Sequence, residues 1–241
     1  MALLEAVGIN VQFGEHHAVR DVDLEVDAGS IVGLIGPNGA GKTTMFNALS
    51  GVQSCTGRVV LDGTDVSGAP VHRRARLGLH RTFQRLEVFG SMTAHDNIRT
   101  AAEISARANH RPRRAAPHIA DEIVERLGLG RVAHRRADAL PTGQARLVEL
   151  GRVLAADPRV VLLDEPASGL DELETARLAE VLNDLARAGM AVLLVEHDMD
   201  LVMQHCSQLY VLNLGEVIAC GSPDVVREDP VVQEAYLGSP V

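Results

Sequence analysis

The sequence predicts an α/β fold, a largely parallel sheet covered on both faces, with an antiparallel β portion near the N-terminus and a helical insertion. Three observations carry this expectation. Ile31–Ile35, residues 160–163 and Ala191–Val195 are short, continuous apolar runs, the pattern of strands buried on both faces. The last two flank an amphipathic helical stretch at 172–188, and strand–helix–strand alternation implies parallel pairing. From about residue 93 to 129 the chain turns rich in Ala, Arg and His, with helical spacing in Ile119, Ile123, Val124 and Leu127.

The elements follow in order. Residues 9–13 and 19–26 alternate apolar and polar side chains as strands, with a turn at Asp27-Ala28-Gly29. The run Ile31–Ile35 leads through a glycine-rich turn into a helix at 42–49, stopped by Ser50-Gly51. Residues 58–61 with Asp62-Gly63 read as a strand and turn. Residues 107–118 hold four Arg, two His and two Pro and read as a loop between helices. Leu147, Leu150, Val153 and Leu154 mark a helix ending near Asp157-Pro158. Residues 209–212 and 216–219 flank Asn213-Leu214-Gly215 as a hairpin. One domain over 1–241 is expected, its core formed by 1–85 and 157–241 and its helical subdomain by 86–156.

Composition narrows the chemistry. The chain has 241 residues, 46% of them apolar, enough for a sizeable core. At 23% charged, wholesale disorder is excluded. A net charge of −9 argues against general binding of a phosphate backbone. No Trp, 2 Tyr and 4 Phe leave little for base stacking, so no nucleic-acid partner is expected. Cys55, Cys206 and Cys220 are far apart and form no disulfide or zinc pattern. The N-terminus lacks a basic segment followed by a long apolar one, and no apolar run approaches the ~20 residues of a membrane helix. A soluble chain is therefore expected, whose membrane role, if any, comes through partners. All 23 basic residues but one are Arg, and the exception is Lys42.

That lysine closes a motif. Gly36-Pro37-Asn38-Gly39-Ala40-Gly41-Lys42-Thr43, followed by Thr44, has the pattern GxxxxGK and Thr between a predicted strand and a predicted helix, the context of a P-loop. Glycines let successive backbone N–H groups converge on β- and γ-phosphates, and the helix start points its partial positive end at the same anion. Lys42 supplies a compact charge and Thr43 a hydroxyl for Mg²⁺. A chance match to four fixed positions is on the order of one per cent for this length. Residues 160–163 end in Asp164 and Glu165, at the end of a strand where ligands sit in open α/β sheets. Asp164 suits Mg²⁺, through water, and Glu165 suits a general base for an attacking water.

Further motifs make the resemblance specific. Leu140-Pro141-Thr142-Gly143-Gln144 opens a helix and resembles the LSGGQ signature of ABC-transporter ATPases. Gln84 in Arg81-Thr82-Phe83-Gln84 matches their Q-loop, Ser168-Gly169-Leu170-Asp171 their D-loop, and His197 in Val195-Glu196-His197-Asp198 their switch histidine. Phe13 is placed like the aromatic that stacks on adenine. Three stretches resemble the branched-chain amino acid importer ATPases: Arg81 to Gln84 with Phe89 and Met92-Thr93, Glu196-His197-Asp198-Met199, and Glu234-Ala235-Tyr236-Leu237-Gly238. Urea importers resemble this subgroup closely, so urea or a short amide stays open as the solute. A non-transport ABC ATPase is a further alternative.

The resemblance implies a RecA-like P-loop core and Mg-ATP hydrolysis by a head-to-tail dimer of ATPases. Gln84 would then touch Mg²⁺ and, with Lys42, Glu165 and His197, serve catalysis. Thr142, Gly143, Gln144 and Asp171 would complete the partner's ATP site. It further implies permease subunits in the membrane, an external solute-binding protein, and a peripheral location at the cytoplasmic face of the inner membrane. One departure stands out: Pro141 occupies the position where the family signature normally has Ser, and Thr142 the one that is commonly Gly.

Overall fold

The computed structural model describes residues 2–110 and 112–237. Their strands form two sheets. The first is antiparallel, in the order β2 (His16–Asp27), β1 (Ala2–Phe13), β4 (Thr56–Leu61), β5 (Thr64–Asp65). The second has six strands in the order β10 (Glu216–Gly221), β9 (Gln208–Asn213), β3 (Ile31–Ile35), β8 (Ala191–Val195), β7 (Val160–Asp164), β6 (Leu79–Arg81). All its pairings are parallel except β9 with β10, the expected hairpin.

Every residue of β3, β7 and β8 is buried. Because side chains alternate across a strand, the sheet serves two cores. Val161, Leu163, Val192 and Leu194 face a core shared with α3 (Ala94–Ala108), α4 (Ala116–Arg126), α5 (Thr142–Leu154) and α6 (Glu172–Arg187). Val160, Leu162, Leu193 and Val195 face the other, built with α1 (Lys42–Ser50) and the antiparallel sheet. Residues Ile98, Ala120, Ile123, Leu147 and Leu150 join α3, α4 and α5 into one packed unit.

Caps hold the helices that matter most for the site. Gly51, with φ +80°, ends α1 in the left-handed turn that glycine favours. The guanidinium of buried Arg74, on α2 (Val71–Arg76), donates to Ala48 O, Leu49 O, Ser67 O and Ala69 O. A cation against the last carbonyls of α1 complements the negative end of that helix. Thr93 caps α3, and Asp171 with Glu174 forms a capping box on α6.

The structure differs from the sequence reading in a few places. The strands expected at 9–13 and 19–26 are parts of two 12-residue strands, broken in register by bulges. The loop expected over 107–118 is shorter: α3 runs to Ala108, a 3₁₀ turn covers Arg113–Ala115, and α4 begins at Ala116. Pro117 lies in the first turn of α4, where a missing N–H costs nothing. Arg111, in that segment, lies outside the described residues. Sequence periodicity also missed β6, α2, α7 (Met199–His205), α8 (Pro223–Glu228) and α9 (Pro230–Leu237), all too short for a period to register. The Glu234 to Leu237 stretch falls in α9, and Gly238 lies outside the described residues.

Candidate nucleotide site

The glycine loop joins β3 to α1. Gly36, Gly39 and Gly41 have φ of 149°, 81° and 108°. At Gly36 the chain passes so close to the β9 backbone that a Cβ would stand 2.0 Å from Leu212 O. No other residue fits there, which fixes where the loop turns. Lys42 begins α1 and is 7% exposed. Its Nζ donates to Gly36 O at 2.6 Å and Pro37 O at 3.0 Å, so the ammonium bends back over its own loop. Burial pulls its pKa down, while the charges of Glu165 and Asp164 push it up.

A cavity of about 420 Å³ opens over this loop. Asn38, Gly39, Ala40, Gly41, Lys42, Thr43 and Thr44 form its floor, and Phe13, Gln84, Glu165 and His197 line it from four other segments. Phe13, at the end of β1, is 49% exposed, an open aromatic face beside the loop. The strand order β3-β8-β7 explains the gathering: β8 lies between the strands that lead to Lys42 and to Glu165, and ends next to His197.

Glu165 and His197 are in contact, Oε1 to Nε2 at 3.0 Å. Glu165 has φ +51°, a left-handed conformation that costs about 1–2 kcal/mol for a residue with a side chain. Its N–H donates to Val195 O at 2.8 Å, which pins it to β8. Asp164 sits one residue deeper, 1% exposed, its N–H donating to Thr82 Oγ1 at 3.1 Å. Its Oδ2 accepts no hydrogen bond and lies 3.5 Å from Arg81 Nη2. Burial raises the pKa of this carboxyl; Arg81 draws it back down.

Arg81 therefore belongs to the site, although the sequence shows it only as part of a motif. Its guanidinium donates to Asn47 Oδ1 at 2.7 Å, to Ser50 Oγ at 3.2 Å and to Thr82 O at 3.1 Å, and it lies 4.5 Å from the centre of the Phe83 ring. Glu196 is the other residue that sequence reasoning passed over. It is 5% exposed, and its carboxylate accepts from Ala167 N, His197 N and Asp198 N. A Glu next to the switch position was the one available signal.

The remaining candidates stand elsewhere. Pro141, with φ −54° and ψ 151°, precedes α5, which Thr142, Gly143 and Gln144 open. A Cβ at Gly143 would lie 2.6 Å from Gly169 O, so this turn packs directly on the 168–171 segment. Gln144 lines a separate groove with Leu129 and Arg177, and Asp171 caps α6. None of Thr142, Gly143, Gln144 or Asp171 lines the cavity over the glycine loop.

A parallel sheet with a glycine loop and its lysine after one strand, and an acidic pair after the next strand but one, defines a P-loop ATPase. The comparisons then place it. Residues 19–168 match the family model described as ABC transporter, and residues 216–241 match that of the branched-chain amino acid ATP-binding cassette transporter. The chain belongs to the ABC transporter ATPase family. It is 39% identical, over 98% of both chains, to the high-affinity branched-chain amino acid transport ATP-binding protein BraF of Pseudomonas aeruginosa. It is 35% identical to the lipopolysaccharide export system ATP-binding protein LptB of Haemophilus influenzae, over 99% of this chain and 98% of that one. The structure of MJ1267, an ATP-binding cassette of an ABC transporter, superposes with a TM-score of 0.86 at 29% identity, covering 99% of this chain and all of the other. The chain is thus an ATPase that binds and hydrolyses ATP. No helix among the described residues is long and apolar enough to cross a membrane.

Proposed function

We propose that the chain is the ATP-hydrolysing subunit of an importer for branched-chain amino acids, working with permease subunits in the membrane and an external solute-binding protein. The observation that carries the solute is the match of residues 216–241 to the branched-chain cassette model, joined to whole-chain similarity to BraF. The subunit would lie peripherally at the cytoplasmic face of the inner membrane. Similarity to LptB favours lipid export as the second reading. An uptake assay on the reconstituted complex separates them. ATP-dependent accumulation of labelled leucine, isoleucine or valine is expected. Uptake of urea or an amide alone, or lipopolysaccharide extraction without uptake, overturns the assignment.

In this reading the backbone N–H groups of residues 38–44 cradle the phosphates, Pro37 having none to give, and Phe13 stacks on adenine. Lys42 turns from its carbonyl partners to the phosphate oxygens, since an anion there is worth more to an ammonium than two carbonyls. Glu165 takes the proton of the attacking water, and His197, 3.0 Å away, orients it. Gln84 closes the cavity at its edge. Mg²⁺ fits the residues present: Thr43 and Gln84 line the cavity, and just behind Glu165 lies Asp164, whose buried Oδ2 accepts no hydrogen bond and has the Arg81 guanidinium 3.5 Å away. Bound there, the ion would neutralise charge on the β- and γ-phosphates. A second cavity, about 410 Å³, lined by Phe83, Phe89, Ile104 and Arg152, is the surface we assign to the permease.

Acylation tests the lysine. Lys42 is the only lysine, so peptide mass mapping after limited acylation reads it alone. Mg-ATP is expected to shield it at least several-fold, and equal labelling with and without nucleotide would remove it from the site.

Because Thr142, Gly143, Gln144 and Asp171 stand outside the cavity, their contribution goes to a second ATPase in a head-to-tail pair. Pro141 has neither hydroxyl nor N–H, so it withholds two donors from the partner's γ-phosphate. A hydrogen bond to a charged group is worth ~1.5–3 kcal/mol. The site completed by this signature is then the weaker one, which favours a paralogue as partner. Pro141→Ser is expected to tighten ATP-driven pairing or raise ATPase activity in the assembled complex. No change in either, or a fall, would overturn this reading of Pro141 and leave the contact to Thr142 or another group.

A further inference from the structure

We propose that Glu196 is a positioning residue, whose single buried carboxylate locks together the two loops that carry Glu165 and His197. The inference rests on the roles assigned above to those two residues.

One oxygen reaches one loop and one the other. Oε1 accepts from Ala167 N at 2.7 Å, two residues past Glu165. Oε2 accepts from His197 N at 2.9 Å and is 3.4 Å from Asp198 N. The side chain is 5% exposed, so water competes little for these bonds. Three backbone donors are satisfied by one group that belongs to neither motif as a reacting residue.

What it holds is a strained geometry. Glu165 has φ +51°, which persists only where its surroundings over-determine it. Two of the restraints are backbone bonds, Glu165 N to Val195 O at 2.8 Å and Ser168 N to Glu165 O at 3.2 Å. The third is the Ala167 N–H on Glu196, which fixes the chain just after the turn. The same carboxylate fixes the backbone of His197, so one side chain holds both loops behind the 3.0 Å contact between Glu165 and His197, in addition to the Glu165 N to Val195 O bond. Release of either side lets the two side chains separate while leaving the glycine loop and Lys42 untouched. Glu196 should therefore govern turnover and not nucleotide affinity.

Glu196→Gln tests this with nearly constant shape. The amide has one acceptor oxygen, and its NH₂ would face an N–H, so only one loop remains tied. In the full chain, kcat is expected to fall at least tenfold while the Kd for ATP stays within threefold. Glu196→Asp keeps both oxygens but is one methylene shorter, and should recover only part of the rate. Hydrogen exchange on the unaltered chain adds a readout that needs no variant: the amides of Ala167 and His197 should be protected although both lie in loops. Turnover within twofold of wild type in Glu196→Gln, equal loss of rate and affinity, or unprotected amides would each overturn the proposal. Glu165→Gln run in parallel tells the two readings apart. If that variant keeps wild-type turnover, the base assignment fails; if it is inert while Glu196→Gln is active, only the positioning role fails.

Discussion

Glu165→Gln is expected to bind ATP as tightly as the unaltered chain and to lose turnover by ~10²–10⁴, the usual contribution of a general base. The amide keeps the size of the side chain and can still hydrogen-bond His197 Nε2, now 3.0 Å from Glu165 Oε1. It cannot accept the proton of a water. The left-handed backbone is unaffected, since its tethers at Val195 O and Glu196 involve no atom of the Glu165 side chain. With hydrolysis blocked, the paired, ATP-bound form should accumulate, visible by size-exclusion chromatography in Mg-ATP. Near wild-type hydrolysis would move the base to another residue.

The second large effect is on stability. Arg81→Met keeps a side chain of similar length against Phe46 and Phe83 and removes the guanidinium. Asp164 would then be left buried, 1% exposed, with its ion pair to Arg81 at 3.5 Å gone. Breaking a buried pair on one side typically costs 3–5 kcal/mol. The lower end, about 3 kcal/mol, is expected here because the charge of Lys42 still acts on Asp164. The sign of the pH dependence follows from burial. Asp164 already has its pKa raised, and losing Arg81 raises it further, so the penalty is full where the carboxyl must be ionised. It fades as pH falls through the carboxylate range, because the neutral acid needs no cation. Urea unfolding at pH 7 and pH 5 reads this directly. Adding Asp164→Asn to Arg81→Met should restore part of the loss at pH 7, since neither charge then remains unpaired. A loss below about 1 kcal/mol at pH 7 would mean that the pair is solvated in solution.

Much of the site is legible in the sequence because its chemistry is local. The proposed phosphate cradle is a contiguous run from Gly36 to Thr44 whose role would lie in backbone N–H groups and a helix start. Asp164 and Glu165 end an apolar run, and the pattern alone places them at a strand terminus. Phe13, Gln84 and His197 were named from family motifs, and they do line the same cavity as the glycine loop. The misreadings were local too. The 107–118 segment reads as loop because Arg, His and Pro dominate it, yet Pro117 at the start of α4 is a helix-compatible proline. The strand β6 has three residues and leaves no periodicity to find.

What escaped the sequence are groups whose meaning is a contact. Arg81 is one of 22 arginines, and nothing in its neighbours tells that its charge faces Asp164. Thr82 and Asp164 stand 82 positions apart, Ala167 and Glu196 29 apart, and the sheet brings each pair together. The sequence by itself determined the fold class, the phosphate loop and the acidic pair, because apolar periodicity and turn chemistry act over a few residues. The tertiary structure alone decided which buried charges are paired and which loops are tied. Register is the physical reason: in the parallel ladder Asp164 stands beside Val195, so the residues just beyond each strand end, Glu165 and Glu196 with His197, emerge side by side. A shift of one residue would turn every one of those side chains to the opposite face.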